Sequence, residues 1–154
     1  SAGSNLAAVV ALRARGLATP PPRAQLLVYP ATDLRRGTPS HRLFNEGFLL
    51  TEGTMEWFLD QYIERAERTH PDASPLLADD VAGACPAIVG TAGFDPLRDE
   101  GDQYADKLAA AGVRVTHLSF PGLVHGFFGM WRASPAARAA SEQLVDALAR
   151  ELAG

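Results

Sequence analysis

The chain has 154 residues, of which 47% are hydrophobic and 21% are charged, a composition typical of an ordinary globular domain. Its formal net charge is -4, and no basic stripe is present. These features argue against a nucleic acid or an anionic membrane as a partner. The one cysteine, Cys85, excludes an internal disulfide framework and favours a reducing, cytoplasmic compartment. No apolar run is long enough to span a bilayer.

Helical and extended patterns alternate along the chain, which predicts an α/β fold with a mostly parallel sheet. The first helix is predicted over residues 1–15, with its periodic positions at Leu6, Val9, Val10 and Arg13. A short strand buried on both faces is predicted over residues 24–29, and Pro30 ends it.

Residues 33–75 show no clear strand pattern, and we expect them to form an excursion above the sheet. One amphipathic helix is predicted there, over about residues 52–68. Its apolar stripe consists of Met55, Phe58, Leu59, Tyr62 and Ile63.

The second half of the chain returns to the alternating pattern. Strands are predicted over residues 87–92 and 113–120, separated by a helix over residues 101–111. Because right-handed crossovers join such elements, we expect the three strands to be parallel neighbours in chain order. A last helix begins at Ser134-Pro135, which is a favourable start. Its expected apolar face consists of Leu144, Val145, Leu148 and Leu152.

Two residues with catalytic potential follow predicted strands. Asp95 comes three residues after the second strand, and His125 comes five residues after the third. Open α/β sheets place their sites at the carboxyl ends of strands, so both side chains are expected at one edge. Ser1 opens the first helix, where a strand-to-helix elbow would expose its hydroxyl above the same edge.

The three residue types suit acyl transfer. A serine hydroxyl needs a base to take its proton as it attacks a carbonyl, and histidine titrates near neutral pH. An aspartate fixes the imidazole tautomer and stabilises the imidazolium. Ser1, Asp95 and His125 are therefore the predicted catalytic triad, and this chemistry requires no metal or organic cofactor. The backbone N–H of Ala2 is the expected oxyanion donor.

A substrate pocket needs apolar walls beside these groups. The sequence offers Phe48, Leu49, Trp57, Val124 and Phe127 as candidate substrate-binding residues, although ordinary core packing explains each of them equally well. The histidines outside the predicted triad show no metal-ligand spacing and are expected to be structural or exposed.

Simpler roles exist for the same residues. Ser1 could be no more than the N-cap of its helix, or it could be a nucleophile that uses its own α-amine as the base. Asp95 could start a turn before Pro96, and His125 could pack in a loop. The carboxylates of Asp99 and Glu100 are expected to favour the positive end of the following helix.

The sequence resembles the hormone-sensitive-lipase-like branch of the α/β-hydrolases, also called the family IV bacterial esterases. The most specific match is the long motif over residues 91–101, in which Asp95 corresponds to the acid of the triad. Ser1-Ala2-Gly3 resembles the end of the family's nucleophile elbow, with Ser4 in place of a glycine. Further matches occur at residues 29–33, 46–51, 74–77 and 125–127.

The resemblance implies a carboxylester hydrolase that acts on small acyl esters by way of an acyl-enzyme. A serine peptidase or amidase of the same fold, a non-catalytic ligand-binding relative and an inactive fragment are the alternatives. The family's His-Gly-Gly-Gly oxyanion loop is absent from these 154 residues, and the chain begins without methionine. We therefore expect residues 1–154 to be the C-terminal part of a single catalytic domain and to be nearly inactive alone.

Overall fold

The computed structural model describes residues 1–17 and 20–153. Three strands form one parallel sheet in the order β1 (Gln25–Val28), β2 (Ala87–Phe94) and β3 (Val115–Val124). The predicted strand order and direction are thus confirmed. Because all three strands run the same way, their carboxyl ends lie at one edge of the sheet.

Five helices accompany the sheet in the described part of the chain. None of them is both long and apolar enough to cross a membrane. Short 3₁₀ turns lie between them, and the helices are α1 (Ala2–Arg13), α2 (Pro39–Leu43), α3 (Glu52–Tyr62), α4 (Arg98–Ala110) and α5 (Pro135–Ala153).

The core around the sheet has two parts, one on each face, and a smaller buried cluster of Leu34, Leu59 and Ala73 lies in the excursion. Alternate residues of β2 point to opposite faces, so Val89 packs with α1 and α4 whereas Ile88 packs with α5. Tyr104 and Leu108 of α4 are fully buried on the first face. The fully buried Leu144 of α5 fills the second. The sheet is therefore the middle of three layers.

Helix α1 docks on the sheet through small and polar side chains. The predicted helix is confirmed, but its periodic residues Leu6 and Val10 are more than half exposed. Ser4 Oγ instead accepts from the backbone N–H of Val28 at 2.8 Å and donates to its carbonyl at 3.1 Å. These bonds fix the first turn of α1 against the end of β1.

The predicted helix of the excursion ends earlier than expected, at Tyr62 instead of about Arg68. The chain turns back after Tyr62, and the buried Arg68 guanidinium donates to Glu56 at 3.2 Å and to Asp60 at 2.8 Å. If the helix continued to Arg68, the guanidinium would lie two to three turns beyond these carboxylates and could not contact them.

Other boundaries also differ from the prediction. Strand β3 starts later than expected, at Val115, and continues four residues past Phe120 to Val124, so His125 follows it directly. Helix α4 begins three residues before the predicted Gly101.

The apolar face of α5 was only partly predicted. Its start is confirmed, since Ser134 Oγ accepts from the Ala137 N–H at 3.2 Å. Leu144 is buried, but Val145 is 50% and Leu152 is 41% exposed. Small residues pack against the sheet instead, because they allow α5 to approach it closely; they are Ala137, Ala140 and Ala147.

Candidate active site

Asp95 lies directly after β2 and is completely buried. One carboxylate oxygen accepts from the backbone N–H of Leu97 at 2.8 Å. The other lies 2.8 Å from Nδ1 of His125. Both oxygens are therefore engaged, and the carboxylate orientation is fixed by the turn that leads into α4. The hydrogen bond with His125 is the one expected from the positions of the two residues after β2 and β3.

His125 is held on two sides. Its Nδ1 faces Asp95, and its ring lies 4.6 Å from the ring of Tyr29, between centroids. Gly126 follows with a left-handed φ of 82°, which starts a tight turn. Tyr29 was not among the predicted site residues. The rule that selected Asp95 applies to it equally, because Tyr29 follows β1 at the same edge of the sheet.

Ser1 precedes α1 and lines the same cavity as Ala2 and His125. It occupies the N-cap position, but its hydroxyl makes no capping hydrogen bond. The Ser1 hydroxyl is also not hydrogen bonded to His125 among the residues that the structure describes. The N–H of Ala2 belongs to the first turn of a helix, where no preceding carbonyl is available to it.

The cavity beside these groups has a volume of about 520 Å³. Its walls combine the sheet edge with the excursion and are mostly apolar. Polar contributions come from Asn5, Asp33, Arg36 and Glu100. The apolar wall consists of Leu6, Ala31, Leu34, Leu50, Met55, Phe58, Leu59, Tyr62 and Leu97.

None of the five sequence-predicted substrate-binding residues is among the described residues that line this cavity. Phe127 is fully buried in the core beneath His125, and Val124 is the last residue of β3. Phe48 stacks on Phe94 with the ring centroids 5.3 Å apart. Leu49 and Trp57 are largely exposed.

Glu100 differs from its expected role at a helix end. It is 1% exposed, and its Oε1 accepts from the backbone N–H groups of Thr32 at 2.6 Å and Asp33 at 3.1 Å. Its Oε2 lies 3.1 Å from Nε2 of the buried His41. Burial raises the pKa of Glu100, while His41 and the two N–H groups act in the opposite direction. Glu100 thus joins α4, α2 and the segment after β1 beneath the cavity.

Asp99, the other acidic residue of this turn, binds the start of α2. Its Oδ2 accepts from the Ser40 N–H at 2.8 Å, and Ser40 Oγ accepts from the Asp99 N–H at 3.1 Å. Arg98 donates to Asp99, which agrees with an ion-pair role for that arginine. In the described part of the chain, no three histidine, cysteine or acidic side chains converge as metal ligands would.

Comparison with known proteins agrees with this geometry. The family model described as the alpha/beta hydrolase fold matches residues 1–129. This chain belongs to the α/β-hydrolase family. Within it, this α/β-hydrolase falls in the hormone-sensitive-lipase-like branch that its motifs resemble.

The relatives of this α/β-hydrolase include named ester hydrolases. A carboxylic ester hydrolase, LipN, from Mycobacterium tuberculosis is 42% identical over 99% of this chain and 42% of its own length. An ethyl acetate hydrolase from Pseudomonas putida is 37% identical over 99% of this chain and 48% of its own length. The chain thus spans less than half the length of these curated relatives.

A solved structure gives the same result. The thermostable esterase of Pseudomonas putida ECU1011 superposes with a TM-score of 0.86 at 46% identity. The match covers 92% of this chain and 46% of the esterase. The fold and the family of this α/β-hydrolase are therefore shown by independent comparisons.

Proposed function

We propose that this α/β-hydrolase is a carboxylester hydrolase that acts on small acyl esters through Ser1, His125 and Asp95. The observation that carries the proposal is that His125, whose Nδ1 is hydrogen bonded to Asp95, lines the same cavity as Ser1. The named activities of the relatives agree with it.

In the proposed reaction, Nε2 of His125 takes the proton of the Ser1 hydroxyl as its oxygen attacks the ester carbonyl carbon. The negative charge moves to the carbonyl oxygen, and the Ala2 N–H donates to it. When the tetrahedral intermediate collapses, the bond to the alcohol oxygen breaks and His125 returns the proton to that oxygen. Water then attacks the acyl-enzyme by the same steps and releases the acid.

Asp95 accepts the hydrogen bond from the Nδ1–H group of His125 throughout the reaction and is not itself protonated. Both of its oxygens are already engaged, so it holds one imidazole tautomer and leaves Nε2 free for Ser1. The cavity is mostly apolar, which favours uncharged substrates over charged ones. Its volume has room for an ester with small acyl and alcohol groups.

The test is hydrolysis of a series of nitrophenyl esters by the full-length protein, with the matching nitroanilides as the amide series. We expect ester hydrolysis with a burst of nitrophenol, and a loss of about 10³-fold or more in kcat for both Ser1→Ala and His125→Ala. A nitroanilide rate as high as the ester rate would favour the peptidase or amidase alternative. Undiminished hydrolysis by Ser1→Ala would contradict the proposal.

A further inference from the structure

Tyr29 occupies an unusual backbone position beside the candidate active site. It follows β1, and its N–H still donates to the Gly90 carbonyl at 2.7 Å, as in the parallel ladder. Its φ is 39°, which places a large aromatic residue in the left-handed region that favours glycine. Non-glycine residues in this region are held there by their surroundings and cluster at functional sites.

The surroundings of Tyr29 account for this conformation. The buried Pro30 follows it and packs near Gly101 in the first turn of α4. The backbone of Phe128 acts to lower the pKa of the Tyr29 hydroxyl. Burial and the nearby Asp95 carboxylate have the larger, opposite effect and raise the pKa.

The ring of Tyr29 lies between the imidazole and the core. On one side its centroid is 4.6 Å from that of His125, with the planes tilted by 51°. On the other side Phe127 packs edge-on at 5.2 Å, and Phe120 lies 5.3 Å beyond it. Since Phe127 is fully buried, its ring is held in the core. Tyr29 packs on that ring and in turn restricts where the imidazole ring of His125 can lie.

We propose that Tyr29 is a positioning residue that holds the imidazole of His125 in the orientation required for proton transfer. Asp95 fixes one atom of the imidazole, Nδ1, but a single hydrogen bond leaves the ring free to swing about that atom. The Tyr29 ring blocks this motion. Tyr29 is not among the described residues that line the cavity, so its effect is expected on the chemical step and not on substrate binding.

The inference rests on the proposed role of His125 and is tested with Tyr29→Leu and Tyr29→Phe in the full-length protein. Leucine keeps an apolar side chain but removes the ring face, whereas phenylalanine keeps the ring and loses only the hydroxyl. We expect Tyr29→Leu to lower kcat by about 10- to 100-fold with KM within about twofold, since small misplacements of catalytic groups are costly. Tyr29→Phe should retain at least about half of the kcat, as a ring contact requires.

A spectroscopic measurement separates positioning from a loss of folding. In the proton NMR spectrum of protein labelled with ¹⁵N-histidine, the Nδ1 proton that is hydrogen bonded to Asp95 should resonate at low field in the natural protein and in Tyr29→Phe. It should broaden or disappear in Tyr29→Leu, while circular dichroism remains unchanged. Equal kcat values for Tyr29→Leu and the natural protein, or equal losses for both Tyr29 variants, would overturn the inference. Failure of the proposed function would look different, because His125→Ala would then retain activity.

Discussion

The carboxyl edge of the sheet and the excursion over residues 33–75 both face the cavity, but different forces position their side chains. At the edge, Asp95 and His125 stand at the ends of neighbouring parallel strands, and the backbone register brings them together. In the excursion, loops and short helices are held by ion pairs, such as that between the buried Arg68 and the exposed Asp60. Edge positions therefore follow from topology, whereas excursion positions follow from particular side-chain contacts.

The largest expected effect concerns the edge. Asp95→Asn keeps an acceptor for the Leu97 N–H but cannot hold the same tautomer of His125. We expect kcat to fall by roughly 10⁴-fold with little change in KM. Steady-state ester hydrolysis by the full-length protein measures this, with circular dichroism as the control for folding. A loss below about tenfold would mean that the edge geometry does not carry the chemistry.

The second prediction concerns Glu100, where the edge and the excursion meet. Glu100→Ala leaves two backbone N–H groups and His41 without their buried partner, so we expect the free energy of unfolding to fall by about 3 kcal/mol or more. Glu100→Gln keeps an oxygen for the N–H groups of Thr32 and Asp33, and its amide can face His41, so its cost should be about 1 kcal/mol.

Urea unfolding of both variants measures these energies. Equal stabilities of Glu100→Ala and the natural protein would show that the two regions are not joined through this carboxyl group. Equal, large losses in both variants would mean that the charge of Glu100, and not its hydrogen-bonding pattern, stabilises the junction.

The smallest expected effect concerns two neighbouring residues of the excursion, Trp57 and Phe58, of which the sequence predicted only Trp57 as substrate-binding. Phe58 and Trp57 are neighbours on α3 with exposures of 53% and 60%, but only Phe58 lines the cavity. Phe58→Ala should shift the preference between short and longer acyl chains by about tenfold in kcat/KM, as expected for a change of pocket size. Trp57→Ala should leave that preference unchanged. The reverse result would restore Trp57 as a substrate-binding residue.

The sequence predicted the sheet well because its first two strands are short apolar runs bounded by prolines, and because parallel strands restrict the topology. The same regularity gave the positions of Asp95 and His125. It did not identify Tyr29, because a left-handed residue after a strand has no sequence pattern of its own unless it is glycine or asparagine.

The cavity wall was predicted only in part. The sequence favoured large aromatic residues near the motifs, such as Phe48 and Phe127, but Phe48 stacks on Phe94 and Phe127 packs in the core. The predicted apolar stripe of α3 does contribute to the wall, through Met55, Phe58, Leu59 and Tyr62. Periodicity does not reveal the chain reversal after Tyr62, which brings Arg68 back to Glu56.

Covalent labelling of the full-length protein with a fluorophosphonate tests the central claim, that Ser1 is activated by the pair of Asp95 and His125. The Ser1 oxygen should attack phosphorus, fluoride should leave, and His125 should take the hydroxyl proton. Peptide mapping should find the label on Ser1 and not on Ser4, whose hydroxyl is buried and bonded to Val28. His125→Ala should abolish labelling. Label on a different serine, or undiminished labelling of His125→Ala, would contradict the account.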